Sequence, residues 1–350
     1  SKSIQEGIDM KKILALLLAA VLVLGMAACA ASPAAPTQTT SDTASDASDT
    51  PASNAETPAA SSGAKLRFVT GGESGTYYAF GSVIAQHATN NAGVDIVGLV
   101  GNGSQSNIFE LEDGNAELAF CQSDVMAYAY NGTNLFESPI DCFSTVAALY
   151  MEDVQIVTTD PSIKTVADLA GKNVSVGAAG SGVYFNAVDI LSAYGLGDLD
   201  ADGKFTKINA TYQSFGDSAD SLKDGKIDAA FIVAGAPTTA IMDLSTTKAA
   251  YLVSLDDAHI DELLAASPYY TKHVIPAGTY NGQDENVATF GIKCLLCVSE
   301  NMSDDLVYEI TSILYENRDR LKDLHPALSY ASQTGFMYED LPIELHPGAE

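Results

Sequence analysis

The sequence predicts an α/β protein of two lobes that follow a leader and a linker. Two observations predict this fold class. Short apolar stretches alternate with helical patterns along the chain, and each stretch is followed by a turn rich in glycine and serine. After residue 158 the alternation starts again, which indicates a second lobe of the same kind. Ligands of open α/β sheets bind where strands end and helices begin, so two facing lobes predict a cleft.

The first 28 residues have the pattern of a secretory signal peptide. Met10 is the expected start, with residues 1–9 upstream of it; two lysines follow, residues 13–24 are apolar, and small residues precede Cys29. The apolar run is shorter than the roughly 20 residues that span a bilayer. Small residues directly before a cysteine resemble the lipobox of bacterial lipoproteins, which implies lipidation of Cys29. An ordinary signal peptide with an incidental cysteine is the alternative.

Residues 29–63 are expected to form a disordered tether behind the lipidated cysteine. They are mostly Ala, Ser, Thr, Pro, Asp and Gln, and such a composition buries too little apolar surface to order itself. No later stretch is apolar and long enough to cross a membrane, so the rest is expected to be soluble and extracytoplasmic. The chain has 17 basic and 45 acidic residues, a balance that argues against nucleic-acid binding.

Three strand–turn–helix units are predicted for the first lobe. In the first unit, the helix is indicated by Tyr77, Phe80, Ile84 and Ala88, which repeat at helical spacing. The predicted strands of the three units are residues 65–70, 94–100 and 117–121, and their turns are 71–75, 101–104 and 122–124.

The second lobe is predicted from a similar series. A strand-like stretch over 144–158 leads into a short helix, 163–172, and then into further units. Cys294 and Cys297 lie in a predicted strand, where residues three apart point to opposite faces, so we expect buried thiols that do not bond to each other. The further predicted elements are strands 173–177, 207–213, 227–233 and 291–298, a turn over 178–182 followed by a helix to 194, and a helix over 218–224.

Four turns, residues 71–76, 101–106, 122–124 and 180–183, combine small residues, hydroxyls and a following helix. Each alone is explained as a helix cap or tight turn, but four alike predict a cleft that holds a carboxylate or phosphate through amides and hydroxyls. No arginine lies in these turns, so a guanidinium clamp would require Arg67. An ammonium group of the ligand would pair with Asp124 or Glu73, although either acid is also explained as a cap or a solvated charge. Of the adjacent tyrosines 77 and 78, one is expected in the core and one in the cleft.

Motifs for catalysis are missing from the sequence. There is no GxSxG nucleophile elbow and no HExxH metal motif. A GxGxxG pattern begins at Gly101 but has Ser106 in place of its third glycine. The single CxxC has no partner pair at zinc spacing. We therefore predict a protein without enzymatic activity, cofactor or metal.

Six motifs follow one another from residue 70 to residue 348. They are Thr70-Gly-Gly-Glu-Ser-Gly-Thr-Tyr-Tyr78, Gly101-Asn-Gly-Ser104, Gln122-Ser-Asp124, Val176-Gly-Ala-Ala-Gly-Ser-Gly182, Ile275-Pro-Ala-Gly-Thr-Tyr280 and Leu341-Pro-Ile-Glu-Leu-His-Pro-Gly348. In this order they resemble the TAXI family, the extracytoplasmic solute receptors of one branch of TRAP transporters. The resemblance covers the chain from about residue 66 to its end.

The resemblance implies a type II periplasmic-binding-protein fold. Residues 64–157 and 290–350 would form lobe one, and residues 158–289 would form lobe two. The ligand would lie between lobes that close about a hinge, and the closed form would dock on the TRAP membrane permease subunits. Relatives in this family bind glutamate, glutamine or similar small carboxylates, so the resemblance implies a small carboxylate or amino-acid ligand.

The resemblance also gives ligand-facing residues by position. This sequence departs from the family at Glu73, where a small residue is usual, and at Val183, which replaces a threonine hydroxyl. An added carboxylate disfavours a dianion, so a neutral amino acid ranks close beside glutamate. The ligand-facing residues are Gly72, Ser74, Tyr77, Asn102, Ser104, Gln122, Ser123, Ser181, Val183, Asn186 and Gly235.

Two other functions remain open from the sequence. An extracellular sensor would use the same fold to present its ligand to a signalling partner instead of a permease. An exported α/β hydrolase would need a nucleophile with an adjacent base, which the motifs do not display.

Overall fold

The computed structural model describes residues 65–92 and 94–350. The predicted signal peptide, the lipidated Cys29 and most of the linker lie outside the described residues. Within the part of the chain that is described, none of the helices has both the length and the apolar character needed to cross a bilayer.

Strands and helices alternate along the described chain. The strands are β1 Leu66–Val69, β2 Ile96–Leu99, β3 Leu118–Gln122, β4 Phe143–Thr158, β5 Asn173–Ser175, β6 Asn209–Thr211, β7 Ala229–Ala234, β8 Tyr251–Val253, β9 Tyr270–Ile275 and β10 Val287–Ser299. The helices are α1 Thr76–Ala92, α2 Ser104–Glu112, α3 Ser123–Asn131, α4 Gly182–Ala193, α5 Phe215–Lys223, α6 Thr239–Thr247, α7 Asp257–Ala266 and α8 Asp304–Leu321. Short 3-10 helices lie at Val166–Leu169, Pro326–Ser332 and Pro347–Ala349.

Two long strands connect the lobes. In lobe one the strand order is β2-β1-β3-β10-β4, and in lobe two it is β4-β7-β5-β6. Strand β4 pairs with β10 over its first part and with β7 over its last part, from Asp153 to Thr158. Strand β10 pairs with β9 at its start and with β3 at its end. This order, with two crossings between the lobes, is the type II periplasmic-binding-protein fold, which confirms the predicted fold class.

The sheet is mixed and not wholly parallel. Strands β1, β2 and β3 are mutually parallel, as are β5, β6 and β7. Both crossing strands run antiparallel to their neighbours β3 and β7. A strand that passes from one lobe into the other enters each sheet from the opposite end, and this explains the change of direction.

Apolar side chains form a separate core in each lobe. Helix α1 contributes Phe80, Ile84 and Ala88 to the lobe-one core, as their spacing predicts. Strand β7 is buried along its whole length in lobe two, since helices cover both of its faces. Burying one such large apolar side chain stabilises the fold by about 1.5–3 kcal/mol.

One predicted helix is shorter in the structure. The pattern over 163–172 forms a single 3-10 turn, Val166–Leu169, in which Thr165 and Asp168 make a capping box. Gly171 then adopts φ 72°, a left-handed conformation that ends the turn and directs the chain into β5.

The two cysteines of the CxxC point away from each other. Cys294 packs in the lobe-one core, and Cys297 packs in the cluster on the other face, around Met126. Both are buried free thiols. The prediction that they do not bond to each other is therefore confirmed.

Candidate functional site

A cavity of about 450 Å³ lies between the lobes. This volume is within the range of small-molecule sites. The N-termini of four helices, α1, α2, α4 and α5, meet at its wall. Residues 71–77, 100–104, 122, 152, 178, 181–183, 214–217, 220, 233 and 234 line it.

The helix starts explain what the wall can hold. The first N–H groups of an α-helix have no carbonyl of their own helix to bond, and they carry partial positive charge. Hydroxyl groups of Ser74, Ser104 and Ser181 lie at the same wall. Ser181 is 4% exposed, and its Oγ has no hydrogen-bond partner among the described residues. The wall is therefore suited to a carboxylate or another small anion.

Tyr77 joins the core to the cavity. Its ring is buried beside Phe120, with 5.1 Å between the ring centroids. Its hydroxyl lies at the cavity wall, 3.3 Å from Ser104 Oγ. One side chain thus fills both roles that were expected of the tyrosine pair, and Tyr78 does not line the cavity.

Gln122 lies at the closest approach of the lobes. Its backbone N–H donates to Ser104 Oγ at 3.1 Å, and its Nε2 donates to Asn186 Oδ1 at 2.8 Å. A Cβ at position 182 would overlap Gln122 Oε1. A side chain at position 182 would therefore require the Gln122 amide, which is bonded to Asn186, to move.

The structure brings most of the predicted ligand-facing residues to one cavity. Three of the eleven do not line it: Ser123, Asn186 and Gly235. The other eight do, namely Gly72, Ser74, Tyr77, Asn102, Ser104, Gln122, Ser181 and Val183.

The three others lie behind the wall. Ser123 begins α3 and is 2% exposed. Asn186 is fully buried behind Gln122. The carbonyl of Gly235 accepts a hydrogen bond from Thr76 Oγ1 at 3.1 Å, so this glycine belongs to the contact between the lobes. Family position alone does not distinguish a wall residue from one directly behind it.

Asp124, a candidate partner for an ammonium group, does not line the cavity. It is fully buried and accepts hydrogen bonds from the backbone N–H of Val125 and from Asn186 Nδ2, both at 2.8 Å. Burial raises the pKa of Asp124 to about 7, although these hydrogen bonds oppose the rise. The carboxyl is therefore part of a buried network between α3 and α4.

The charged residues at the cavity wall are all acidic. Glu73, Glu152, Asp217 and Asp220 line it, and among residues 65–92 and 94–350 no Lys, Arg or His does. Arg67, the arginine considered for a clamp, pairs with Glu117 outside the cavity. A carboxylate would therefore be held by amides and hydroxyls, as the sequence predicts.

Glu152 was missed by the sequence reasoning. It lies in β4, is 2% exposed and faces the cavity, and burial raises the pKa of its carboxyl well above the usual range. The sequence carries a signal, because Glu152 and Asp153 are two consecutive acids inside an otherwise apolar stretch. A charge in a buried strand requires a partner or a function.

The lobes touch on both sides of the cavity. Ser106 N–H donates to Gly180 O at 2.9 Å on one side, and Ala240 N–H donates to Ser74 O at 3.2 Å on the other. These contacts join residues of lobe one to residues of lobe two. The structure is accordingly a closed arrangement of the two lobes.

A family model matches residues 68–350, which is the whole described fold apart from its first strand residues. That model is described as the NMT1-like family. The chain belongs to this family. The match spans every residue that lines the cavity of this NMT1-like protein.

Solved structures resemble this NMT1-like chain at low identity. A putative L-cystine ABC transporter protein from Listeria monocytogenes is 16% identical, covers 75% of this chain and 95% of its own, and has a TM-score of 0.47. The aliphatic sulphonate binding protein SsuA from Escherichia coli is 16% identical, with 79% of each chain covered and a TM-score of 0.41. The GluR0 ligand-binding core with L-glutamate is 10% identical, covers 77% of this chain and 98% of its own, and has a TM-score of 0.46.

Proposed function

We propose that this NMT1-like protein is a solute receptor that captures a small carboxylated solute between its lobes. The observation that carries the proposal is the cavity itself. It is formed by both lobes of a type II fold, and four helix N-termini and four serines line it. No histidine or lysine stands beside those serines at the described wall, so the arrangement favours binding over nucleophilic chemistry.

The finer proposal follows the sequence motifs. The receptor would belong to the TAXI branch of TRAP transport, capture glutamate or another amino acid, and deliver it to the membrane permease subunits. It would act outside the cytoplasm, held to the membrane by a lipid on Cys29. The placement of eight of the eleven motif-derived residues at one cavity supports the solute-binding part of this proposal.

Thermal unfolding of the purified protein against amino acids and small organic acids tests the proposal. A solute that binds only the folded state at a thousand times its Kd adds about 4 kcal/mol of stability, which is a clear rise in Tm. We expect a rise with at least one amino acid. No rise with any compound, from protein that is folded and free of carried-over solute, would contradict the proposed solute class.

A matched pair of serine variants locates the site. Ser181→Ala removes a hydroxyl at the cavity wall that has no partner within the described chain, so its own Tm should change little while the solute-induced rise shrinks. Ser192→Ala removes an exposed hydroxyl from the same helix. It should change neither the Tm of the protein without solute nor the rise in Tm that the solute causes. Equal responses in the two variants would place the solute elsewhere.

A further inference from the structure

The carboxyl of Glu152 is built into the cavity wall without a full set of partners. It is 2% exposed, and its Oε1 has no hydrogen-bond partner among the described residues. Leaving a buried polar atom unpaired costs about 1–3 kcal/mol, and more when the group is charged. A fold tolerates such a cost most readily where the atom meets a ligand.

The groups around Glu152 provide no positive charge. The hydroxyl of Tyr77 and the thiol of Cys294 lie beside its carboxyl and lower its pKa, while the carboxyls of Asp124 and Asp153 raise it. Burial outweighs all of these, and the net pKa lies well above the usual range. Burial therefore favours the protonated form of this carboxyl when no cation is near.

The other charged residues of the cavity wall also favour a positively charged group of the solute. Three further acids, Glu73, Asp217 and Asp220, line the cavity, and no basic residue does. Field lines from charges of one sign are focused in a cleft with low-dielectric walls. Such a cavity attracts a solute that carries a positive group and disfavours one with two negative groups.

We propose that Glu152 is the specificity residue of this cavity and that it pairs with a cationic nitrogen of the solute, such as the ammonium group of an amino acid. This inference rests on the proposed function and names the solute class more narrowly. The carboxylate of the same solute lies against the start of α4, where Ser181 Oγ and the first helical N–H groups are available. Amino acids are thus bound in preference to the corresponding hydroxy acids.

Pairing changes the protonation of Glu152. When the ammonium group enters, the carboxyl releases its proton to solvent and the resulting carboxylate faces the cation. The ammonium group keeps its own protons, so each bound solute releases one proton overall. Binding of an amino acid therefore becomes tighter as pH rises, by up to about tenfold per unit while the empty site is still protonated.

Matched solutes test the class on the wild-type protein. L-Alanine with L-lactate, L-leucine with its 2-hydroxy analogue, and L-glutamate with 2-hydroxyglutarate each differ only in ammonium against hydroxyl. In any pair that binds, we expect the amino acid to bind at least about 30-fold more tightly than its hydroxy acid. Calorimetry in two buffers of different ionisation enthalpy should show that binding of the amino acid releases protons to the buffer.

Three variants test whether Glu152 causes the preference for amino acids and the proton release. Glu152→Gln keeps the shape of the side chain and should lose both the 30-fold preference and the proton release. Glu73→Gln removes another acid of the same wall and should reduce the preference for the amino acid by less than Glu152→Gln does. Asp243→Asn, an exposed change on α6, serves as the control for general charge effects.

The outcomes separate the two proposals. Hydroxy acids that bind as tightly as amino acids, or amino-acid binding without proton release, would overturn the role of Glu152 while the receptor function stands. Loss of the preference in Glu73→Gln and not in Glu152→Gln would also overturn it. Absence of binding by every member of all three pairs overturns the receptor proposal and this inference together. Because proton release is measured on the wild-type protein, the result does not depend on the folding of a variant.

Discussion

Asp124 shows how one buried carboxyl makes the stability of this protein depend on pH. Its pKa rises from the ordinary 3.8 to about 7, mainly because burial disfavours the charged form, and the nearby Asp189 carboxyl adds to the rise. The folded state therefore holds a proton that the unfolded chain releases above pH 4. The contribution of Asp124 to the free energy of unfolding is fully present below the pKa that this carboxyl has in the unfolded chain. It is lost as pH rises through the pKa of the carboxyl in the folded state, about 7.

Asp124→Asn removes this dependence. Relative to the variant, the wild-type protein should lose about 2.5 kcal/mol of unfolding free energy between pH 5 and pH 8. The amide also changes two buried hydrogen bonds, which adds an offset that is the same at every pH. Urea unfolding at both pH values measures the difference, with Asp243→Asn as the exposed control. A constant difference between wild type and variant would show that Asp124 is ionised throughout.

At the level of elements, α3 and α4 belong to different lobes and meet through the stacked rings of Tyr128 and Phe185 and through the side chain of Asn186. Asn186 of α4 accepts from Gln122 Nε2 and donates to Asp124 Oδ2, both at 2.8 Å, and it donates to Tyr270 Oη at 3.1 Å. All four residues are buried. A network of this kind is stable only while each member keeps its partners.

Asn186→Ala should destabilise the protein by about 3 kcal/mol, because the buried Gln122 amide and Asp124 carboxyl both lose a partner. Ser192→Ala, on the exposed face of the same helix, should change stability by less than about 0.5 kcal/mol. Urea unfolding at one pH compares the two. Similar small losses of unfolding free energy in both variants would contradict this. They would mean that water replaces the Asn186 amide as a hydrogen-bond partner at no cost in stability.

The helices and strands of the parallel units were largely predictable, because apolar spacing reports burial directly. The spacing of Phe80, Ile84 and Ala88 located α1, and the apolar stretch over 229–233 located β7. Helix α8 was not predicted. Its exposed face carries many charges and only one stripe, formed by Val307, Ile310 and Leu314, is buried. The spacing of these three residues, after the cap residue Ser303, is the signal that could have located the helix.

The sequence predicted which turns line the cavity, but not which side chains face it and which lie behind its wall. Glycine- and serine-rich turns after strands predicted the helix N-termini that line it. The separation of Gln122, at the wall, from Asn186, behind it, depends on how closely two distant segments approach. Glu152 was missed for the same reason, since a strand residue faces either a core or a cavity according to the element opposite.

Considered as a whole, the molecule closes its cavity by direct contact between lobes. Two glycines lie at these contacts: Gly103 lies against Ser181, and Gly182 lies against Gln122. A Cβ at position 103 would lie 3.2 Å from Ser181 Cα, and a Cβ at position 182 would overlap the Gln122 amide. Closure and solute binding are therefore linked through backbone positions as well as through polar groups.

Gly182→Ala should keep the lobes apart, since its Cβ would overlap Gln122 Oε1. Small-angle scattering of the wild-type protein should show a smaller radius of gyration when a bound amino acid is added, and the variant should show no change at the same concentration. Gly98→Ala in β2, where the added Cβ meets only ordinary contacts at 3.8 Å or more, is the matched control. Solute-induced compaction of the Gly182→Ala protein would contradict this account.

The position of β10 between β3 and β4 also bears on how the protein is made. This strand is the middle of the lobe-one sheet, yet ribosomes add it only after the whole of lobe two. Until Val287–Ser299 has been synthesised, the nascent chain has a gap where Cys294 pairs with Gln122 and Tyr150. Pairings so distant along the chain slow folding. Translation must therefore be almost finished before the lobe-one sheet can be completed.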